Sequence, residues 1–304
     1  MRSAENCFVV AGYVQGVAGS RAKGIPRLSD LIQSIDLNAA CRSVRPLRSD
    51  MMRAAITIQV LGKHEFEEKD LLPLIRRAFV KDHITESQSG FDYNIRLQVM
   101  HDQAFVGVQI PERSLKDRPY KKITRPGSLD PTVAYAMVHL LELSSKDTFV
   151  DPLCGAGTIV AEATLSFCPR LIIAADLDKA ALAASRNNLS TFKNHLSLMQ
   201  GNALSTPFCD SSIHKIASNL PYGKDIPLAD PVAFIGQVLM EFSRIIAPKG
   251  RACLLTKHGE LIELWLRQNR PFVKKKHLRL NLFGFDASLI LLERTKKSAP
   301  ISHF

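Results

Sequence analysis

Hydrophobic and polar positions change rhythm near the middle of the chain. In the first part the period is two. Ala55–Leu61 (AITIQVL) and Ile95–Met100 (IRLQVM) alternate as half-buried strands do, and Ala104–Ile110 (AFVGVQI) reads as a further strand after a His101-Asp102-Gln103 turn. Between them Leu71, Leu72, Leu74, Ile75 and Phe79 recur at helical spacing, which predicts a helix over Glu67–Val80. Upstream, Phe8–Val14 predicts a strand and Leu28–Ile35 a helix. These pieces describe a small α+β domain. It ends at Arg113–Pro131 (RSLKDRPYKKITRPGSLDP), a stretch dense in proline, glycine and charge that reads as a linker.

Past the linker, Pro131–Leu141 predicts a helix, and apolar strands then alternate with amphipathic helices. The strands are Thr148–Leu153, Leu171–Leu177, Leu196–Gln200, Lys215–Leu220 and Arg251–Thr256; the helices are Thr158–Ser166, Asp178–Leu189, Val232–Ile246 and Glu260–Gln268. Such alternation means parallel strands joined by right-handed crossovers, with ligands at the carboxyl ends of the strands. The final pair, Val273–Phe283 and Asp286–Arg294, is separated only by Gly284-Phe285, too short for a crossover, so it must be an antiparallel hairpin. The expected fold is therefore α/β: a Rossmann-like sheet resembling the class I methyltransferase outline, behind a smaller α+β domain. The expected boundaries are 1–53, 54–116, a linker over 117–130, and 131–304.

Composition narrows the partners. The chain has 304 residues, 46% apolar and 23% charged, which excludes disordered, collagen-like and disulfide-scaffold classes. No apolar run reaches the ~18–20 residues needed to cross a bilayer. The net charge of +11 suggests a polyanionic partner. It is unevenly placed: residues 1–125 carry 20 basic and 14 acidic side chains (+6), residues 126–242 carry 7 and 11 (−4), and residues 243–304 carry 13 and 4 (+9). Basic flanks around an acidic middle are expected where a reaction centre is bordered by surfaces that hold phosphates. The six cysteines form no C-x-x-C pair and the histidines no H-x-x-x-H, so reduced thiols in a cytoplasmic protein, with no metal site, are expected. Glu5 and Asn6 interrupt what would be the basic leader of a signal peptide.

Three motifs carry the chemistry. Asp151-Pro152-Leu153-Cys154-Gly155-Ala156-Gly157-Thr158 follows a strand and opens a helix, so its glycines allow a sharp turn and close ligand approach. It lacks the third glycine of a dinucleotide fingerprint and the G-K-[ST] of a triphosphate loop. An acid at its start, Asp151, disfavours phosphate and suits a cationic ligand; S-adenosylmethionine, with an ammonium and a sulfonium, fits. At the tip of the next strand Asp176 can accept both ribose hydroxyls, while Asp178 suits a helix cap. Asn202, after the third strand, can meet the adenine edge through its carbonyl. Cys154 reads as a small packing residue beside the cofactor, and Trp265 as core.

The third motif, Asn219-Leu220-Pro221-Tyr222-Gly223, ends the fourth strand. An exocyclic amine on a base is a poor nucleophile because its lone pair is delocalised. The Asn219 oxygen and a backbone carbonyl near Leu220–Pro221 could hold its hydrogens and aim that lone pair. Pro221 fixes the turn. Tyr222 offers a stacking face worth ~1–3 kcal/mol. Orientation would supply the rest of the rate, and the base must leave its stack to reach the pocket.

Together these motifs resemble the THUMP-domain RNA guanine-N2-methyltransferases that act on transfer RNA. Asp151–Thr158 is similar to that family's D-P-x-C-G-x-G-T, and Asn219–Gly223 to its N-L-P-[YF]-G, whereas amino-methylating DNA enzymes usually show N-P-P-Y. Arg125-Pro126-Gly127-Ser128-Leu129-Asp130-Pro131 resembles the segment leading into the catalytic domain, where family members contact the cofactor; this implies a cofactor role for Ser128. Gly62–Phe66 and Phe105–Ile110 resemble strand edges of the RNA-binding THUMP module, and residues 1–53 a shortened ferredoxin-like domain. The resemblance implies a THUMP module gripping the 3′ end of a transfer RNA, with Arg118, Lys121, Lys122 and Arg125 as candidate phosphate contacts; the sequence leaves open whether a small activating subunit is needed. Two other readings keep the same motifs: an adenine-N6 methyltransferase on DNA or RNA, and a catalytically silent RNA-binding relative.

Overall fold

A computed structural model of the protein describes residues 6–46, 51–111, 114–192, 196–221, 228–282 and 285–295. The chain divides into two compact units between Leu115 and Lys116. Among the described residues no helix is long and apolar enough to cross a membrane, and no group of His, Cys, Asp and Glu could hold a metal ion. None of the six cysteines forms a disulfide among the described residues.

The first unit runs β1 (Phe8–Gln15), α1 (Arg21–Ser34), α2 (Leu37–Val44), β2 (Arg53–Leu61), α3 (Glu68–Lys81), β3 (Thr85–Glu86), β4 (Tyr93–Met100) and β5 (Gln103–Gln109). Its sheet has the order β1-β5-β4-β2-β3. Strict alternation in β4 buries Tyr93, Ile95, Leu97 and Val99, which join Leu28 and Ile32 of α1 and Leu71, Ile75 and Phe79 of α3 in one core. Each such apolar side chain stabilises the fold by ~1.5–3 kcal/mol. The expected cut at residue 53 falls at the start of β2, yet β1 pairs with β5, so residues on both sides of it share one sheet. Helix α1 begins at Arg21 rather than Leu28 and carries Pro26 inside it. Tertiary contact overrides the proline there: a Cβ on Gly24 would lie 2.6 Å from the Phe66 ring and 2.8 Å from the Val17 carbonyl. The periodicity missed α2 because the helix is short and buries only Leu37 and Cys41; Asp36 caps it by accepting from the Ala39 amide at 2.9 Å.

The second unit runs α4 (Pro131–Leu140), β6 (Thr148–Asp151), α5 (Thr158–Phe167), β7 (Leu171–Asp176), α6 (Lys179–Asn188), β8 (Leu196–Gln200), β9 (Ile213–Asn219), α7 (Pro231–Ile245), β10 (Ile246–Thr256), α8 (Gly259–Gln268), β11 (Phe272–Leu282) and β12 (Phe285–Arg294). The seven-stranded sheet has the order β11-β12-β10-β9-β6-β7-β8. Strands β6 to β10 are mutually parallel, and β12 runs antiparallel to both β10 and β11, as the alternation and the hairpin required. The hairpin turn, Phe283-Gly284, lies outside the described residues. Strand β10 starts earlier than expected because a register irregularity between Ile246 and Arg251, with Lys249 at φ +67°, hides its first half from the period.

The segment read as a linker is fastened into this unit. Tyr120 is buried, and its hydroxyl and the Arg118 Nε both donate to Glu162 Oε1 at 2.8 Å. The Ile123 amide and carbonyl bond the Asn188 side chain at 2.8 Å each, and Lys121 Nζ donates to the Leu129 carbonyl at 2.6 Å. Arg118 and Lys121 therefore do not reach outward as phosphate contacts. Desolvation, opposed by Asp130, holds the Lys121 pKa below the usual lysine value.

Candidate functional site

Four local structures build one cleft at the carboxyl ends of the parallel strands. The first is the turn Arg125–Ser128. Proline stands second and Gly127, at φ +74°, third; the Ser128 amide donates to the Arg125 carbonyl at 2.9 Å, and the Ser128 hydroxyl accepts from the Arg125 amide at 2.9 Å. Residues of this type in this order make a type II turn. Asp130 then caps α4 through the Thr132 amide. Arg125 bridges to Asp178 at 2.5 Å, a pair that takes the place of its expected phosphate contact.

The glycine turn is the second. Gly157 at φ +82° ends it as the N-cap of α5, and a Cβ there would meet Leu189 and Ser185 at 3.0 Å. Gly155, at φ +54°, has nothing within 4 Å of where its Cβ would stand. Its amide donates to Asp176 Oδ2 at 2.9 Å, and its carbonyl accepts from the Ser185 hydroxyl at 2.8 Å. Asn188 holds the neighbouring Ala156 carbonyl. Burial pushes the Cys154 thiol pKa up, so it is a packing group and no nucleophile.

Asp151, at the end of β6, is the most unusual group. It is 1% exposed. One oxygen accepts from the Leu153 amide at 3.2 Å and the Ser218 hydroxyl at 3.0 Å; the other, Oδ2, is buried with no partner. Burial raises its carboxyl pKa to about 7, against the lowering effect of those two hydrogen bonds, and the Asp176 carboxylate adds to the rise. An orphaned buried carboxylate oxygen calls for a cation or a strong donor.

Asp176 ends β7 with one oxygen on Gly155 and the other on the Asp178 amide at 3.0 Å, and both retain lone-pair capacity. Asp178 caps α6 through Ala180. Asn202 differs from expectation. Its Oδ1 accepts from the Leu204 amide at 3.0 Å, so the amide nitrogen is the end left for a ligand. It suits a ring nitrogen better than the exocyclic amine.

The last piece is the end of β9. Asn219 Nδ2 donates to the Gly127 carbonyl at 3.3 Å. A carbonyl can only accept, so this bond fixes which way the amide points. The opposite end, Oδ1, is buried and has no partner. Leu220 is fully buried, and its amide donates to the Leu255 carbonyl at 2.9 Å, which anchors the turn into Pro221. Tyr222 and Gly223 lie outside the described residues.

A cavity of about 600 Å³ joins these pieces. Ser128, Asp151, Cys154, Gly155, Thr158, Asp176, Asn202, Asn219 and Pro221 line it, all residues singled out from the sequence; Gly157 shapes the turn behind them without lining it. Sequence reasoning missed the apolar wall of Leu153, Leu177, Leu204, Leu228 and Phe234. Phe234 carried a signal, since Asp230-Pro231 marks a helix start and Asp230 caps α7 through Ala233, which sets Phe234 in the first turn.

Comparison with known proteins agrees with this geometry. The chain is 28% identical over 228 residues to the Bos taurus tRNA (guanine(6)-N(2))-methyltransferase THUMP3, covering 69% of this chain and 44% of that protein. It is 27% identical over 174 residues to the Homo sapiens U6 snRNA (guanine-N(2))-methyltransferase THUMPD2, covering 56% and 33%. The chain thus spans about half the length, or less, of these curated relatives. Its fold is similar to the crystal structure of TrmN from Thermus thermophilus, with a TM-score of 0.73 at 20% identity over 95% of this chain and 83% of that one. Residues 118–285, more than half the chain, match the UPF0020 RMKL-like methyltransferase domain, and the chain belongs to that family.

Proposed function

We propose that this protein transfers a methyl group from S-adenosylmethionine to the exocyclic N2 of a guanosine in RNA, with transfer RNA as the substrate. The observation that carries the proposal is the Asn219 amide: its nitrogen is tied to Gly127 and its buried oxygen stands without a partner beside the cavity.

The cleft suits the donor. Asp151 Oδ2 answers an ammonium, and the amino end of α5, where Thr158 lines the cavity, answers a carboxylate. Asp176 keeps lone pairs for ribose hydroxyls, and Leu177 and Leu204 with the Asn202 amide form a slot for a flat heterocycle. When bound, S-adenosylmethionine supplies an electrophilic methyl carried on a sulfonium. Asn219 Oδ1 accepts one N2 hydrogen of the target base and orients its lone pair. Pro221 holds the turn that positions the base, and Phe234 gives it an apolar wall. Guanine is favoured over adenine by the Leu220 form of the motif and by the named activity of the relatives. By the same reading the Ala4–Leu115 unit is the THUMP-like RNA-binding part, and the protein works in the cytoplasm, where its six cysteines stay reduced.

Incubating the purified protein with methyl-labelled donor and total transfer RNA tests this. Label should enter RNA and calorimetry should register donor binding. Normal donor binding with no label in any RNA would remove the assignment.

A further inference from the structure

Among the described residues of the Ala4–Leu115 unit, helices cover only one face of the sheet: α1, α2 and α3 all pack on the side that carries Ile95, Leu97 and Val99 of β4. The alternate residues of β1, β5, β4 and β2 form the other face. We propose that this face, which no described helix of the unit covers, is a docking platform for single-stranded RNA, whose bases stack on rings of β1 and β5. The proposal rests on RNA being the substrate, as argued above, and adds the surface that grips it.

A β-bulge builds the aromatic part. Val10 opposes Gly107 and Tyr13 opposes Phe105, with the pairing shifted between Val10 and Gly12. Without the extra residue, side-chain parity would turn Tyr13 into the core; the bulge sends it outward and tucks Gly12 inward, where a Cβ would lie 2.6 Å from Ile35. As a result Val10 is 59% exposed and Tyr13 50% exposed, beside Phe105 on the neighbouring strand. Half-exposed rings on an open sheet are the platform on which RNA-binding sheets stack bases.

The charge of the face selects the partner. None of the alternate positions along the four strands is a carboxylate, and two are cations, Arg96 in β4 and the exposed Arg53 at the start of β2. The Arg96 guanidinium sits 5.5 Å from the Phe8 ring centroid and donates to Gln59 Oε1 at 2.5 Å, while its Nε is buried without a partner. Gln98 lies in register between Gln59 and Phe105 and bonds to no other side chain among the described residues, so its amide is left for a base edge. Neutral amides, rings and two cations without a carboxylate suit a polyanion that carries flat heterocycles.

The test uses the full chain and a labelled, unstructured RNA of about twelve nucleotides, within the site sizes of ~4–16 nucleotides known for such surfaces. Tyr13→Ala should weaken binding about 5- to 150-fold, the equivalent of ~1–3 kcal/mol for one lost stack, and Tyr13→Phe should restore it. Val10→Glu, which adds a carboxylate at an exposed position, should also weaken binding and serves if Tyr13→Ala unfolds. Unchanged affinity in both Tyr13→Ala and Val10→Glu would overturn the proposal. So would a wild-type dimer that Tyr13→Ala converts to monomer at unchanged RNA affinity, since the occupant would then be a second copy. The two readings fail separately. If the wild type methylates RNA while Tyr13→Ala leaves its KM for RNA unchanged, the platform falls alone; if no RNA is methylated but the oligonucleotide responds to Tyr13→Ala, the platform stands.

Discussion

Asp151 sets a conflict between stability and binding. Its folded pKa, about 7, lies above the ordinary carboxylate value, so its contribution to stability is fully present below pH ~4 and is lost as pH rises through 7. The free protein should therefore be less stable at pH 8 than at pH 5.5 with respect to this group. A cationic donor reverses the preference, because the charged carboxylate is the form it pairs with. Donor affinity should rise between pH 6 and 8, as read by calorimetry. Asp151→Asn should flatten that profile, weaken donor binding by at least about tenfold, and raise the melting temperature of the free protein at pH 8. A variant with the wild-type pH profile would show that Oδ2 does not face the donor.

At the scale of elements, two glycines in one turn separate shape from access. Gly157→Ala places a methyl at a left-handed position and 3.0 Å from Leu189 and Ser185, so it should destabilise the fold by ~1–3 kcal/mol in urea unfolding. Gly155→Ala meets open space, so it should unfold at a higher urea concentration than Gly157→Ala yet lose more donor affinity, because the added methyl enters the cavity. The approach segment obeys a different logic. Arg118→Met removes the cation from a fully buried Glu162 and should cost ~3–5 kcal/mol, which urea titration would show as a fallen midpoint. Such fastening was not legible in the sequence: Arg118 and Lys121 look like any solvated basic residues, and only the fold brings Glu162 of α5 to Arg118, the Leu129 carbonyl to Lys121 and Asn188 of α6 to Ile123. The helices and the strands of the first unit were legible by periods of 3.6 and two, and the buried parallel strands of the second by short continuous apolar runs such as Thr148–Asp151 and Leu171–Asp176. The short α2 and the two-residue β3 were not, since neither holds enough apolar positions to show a period. In the cleft, polar residues with a stated chemical task stood out beforehand, whereas Leu228 and Phe234 did not, because an apolar wall residue reads like core.

For the molecule as a whole, charge and chemistry are divided along the chain. The stretch 126–242, with its net −4, contains most of the cavity lining, and the flanking stretches carry the excess of cations. RNA affinity should accordingly fall with salt, by a slope of about −0.7 in log–log terms for each single-stranded phosphate contacted, while donor affinity stays nearly flat between 50 and 200 mM salt. Equal salt dependence for both ligands would place the phosphates elsewhere. All of this serves one central claim, that Asn219 presents a free acceptor to the N2 amine of a guanosine. Mass spectrometry of nucleosides from RNA treated with the protein and isotopically labelled donor tests it most directly. Labelled N2-methylguanosine should form with the wild-type chain, at a rate at least about a hundredfold lower with Asn219→Ala at nearly unchanged donor affinity. Labelled N6-methyladenosine instead, or N2-methylguanosine formed equally well by Asn219→Ala, would contradict it.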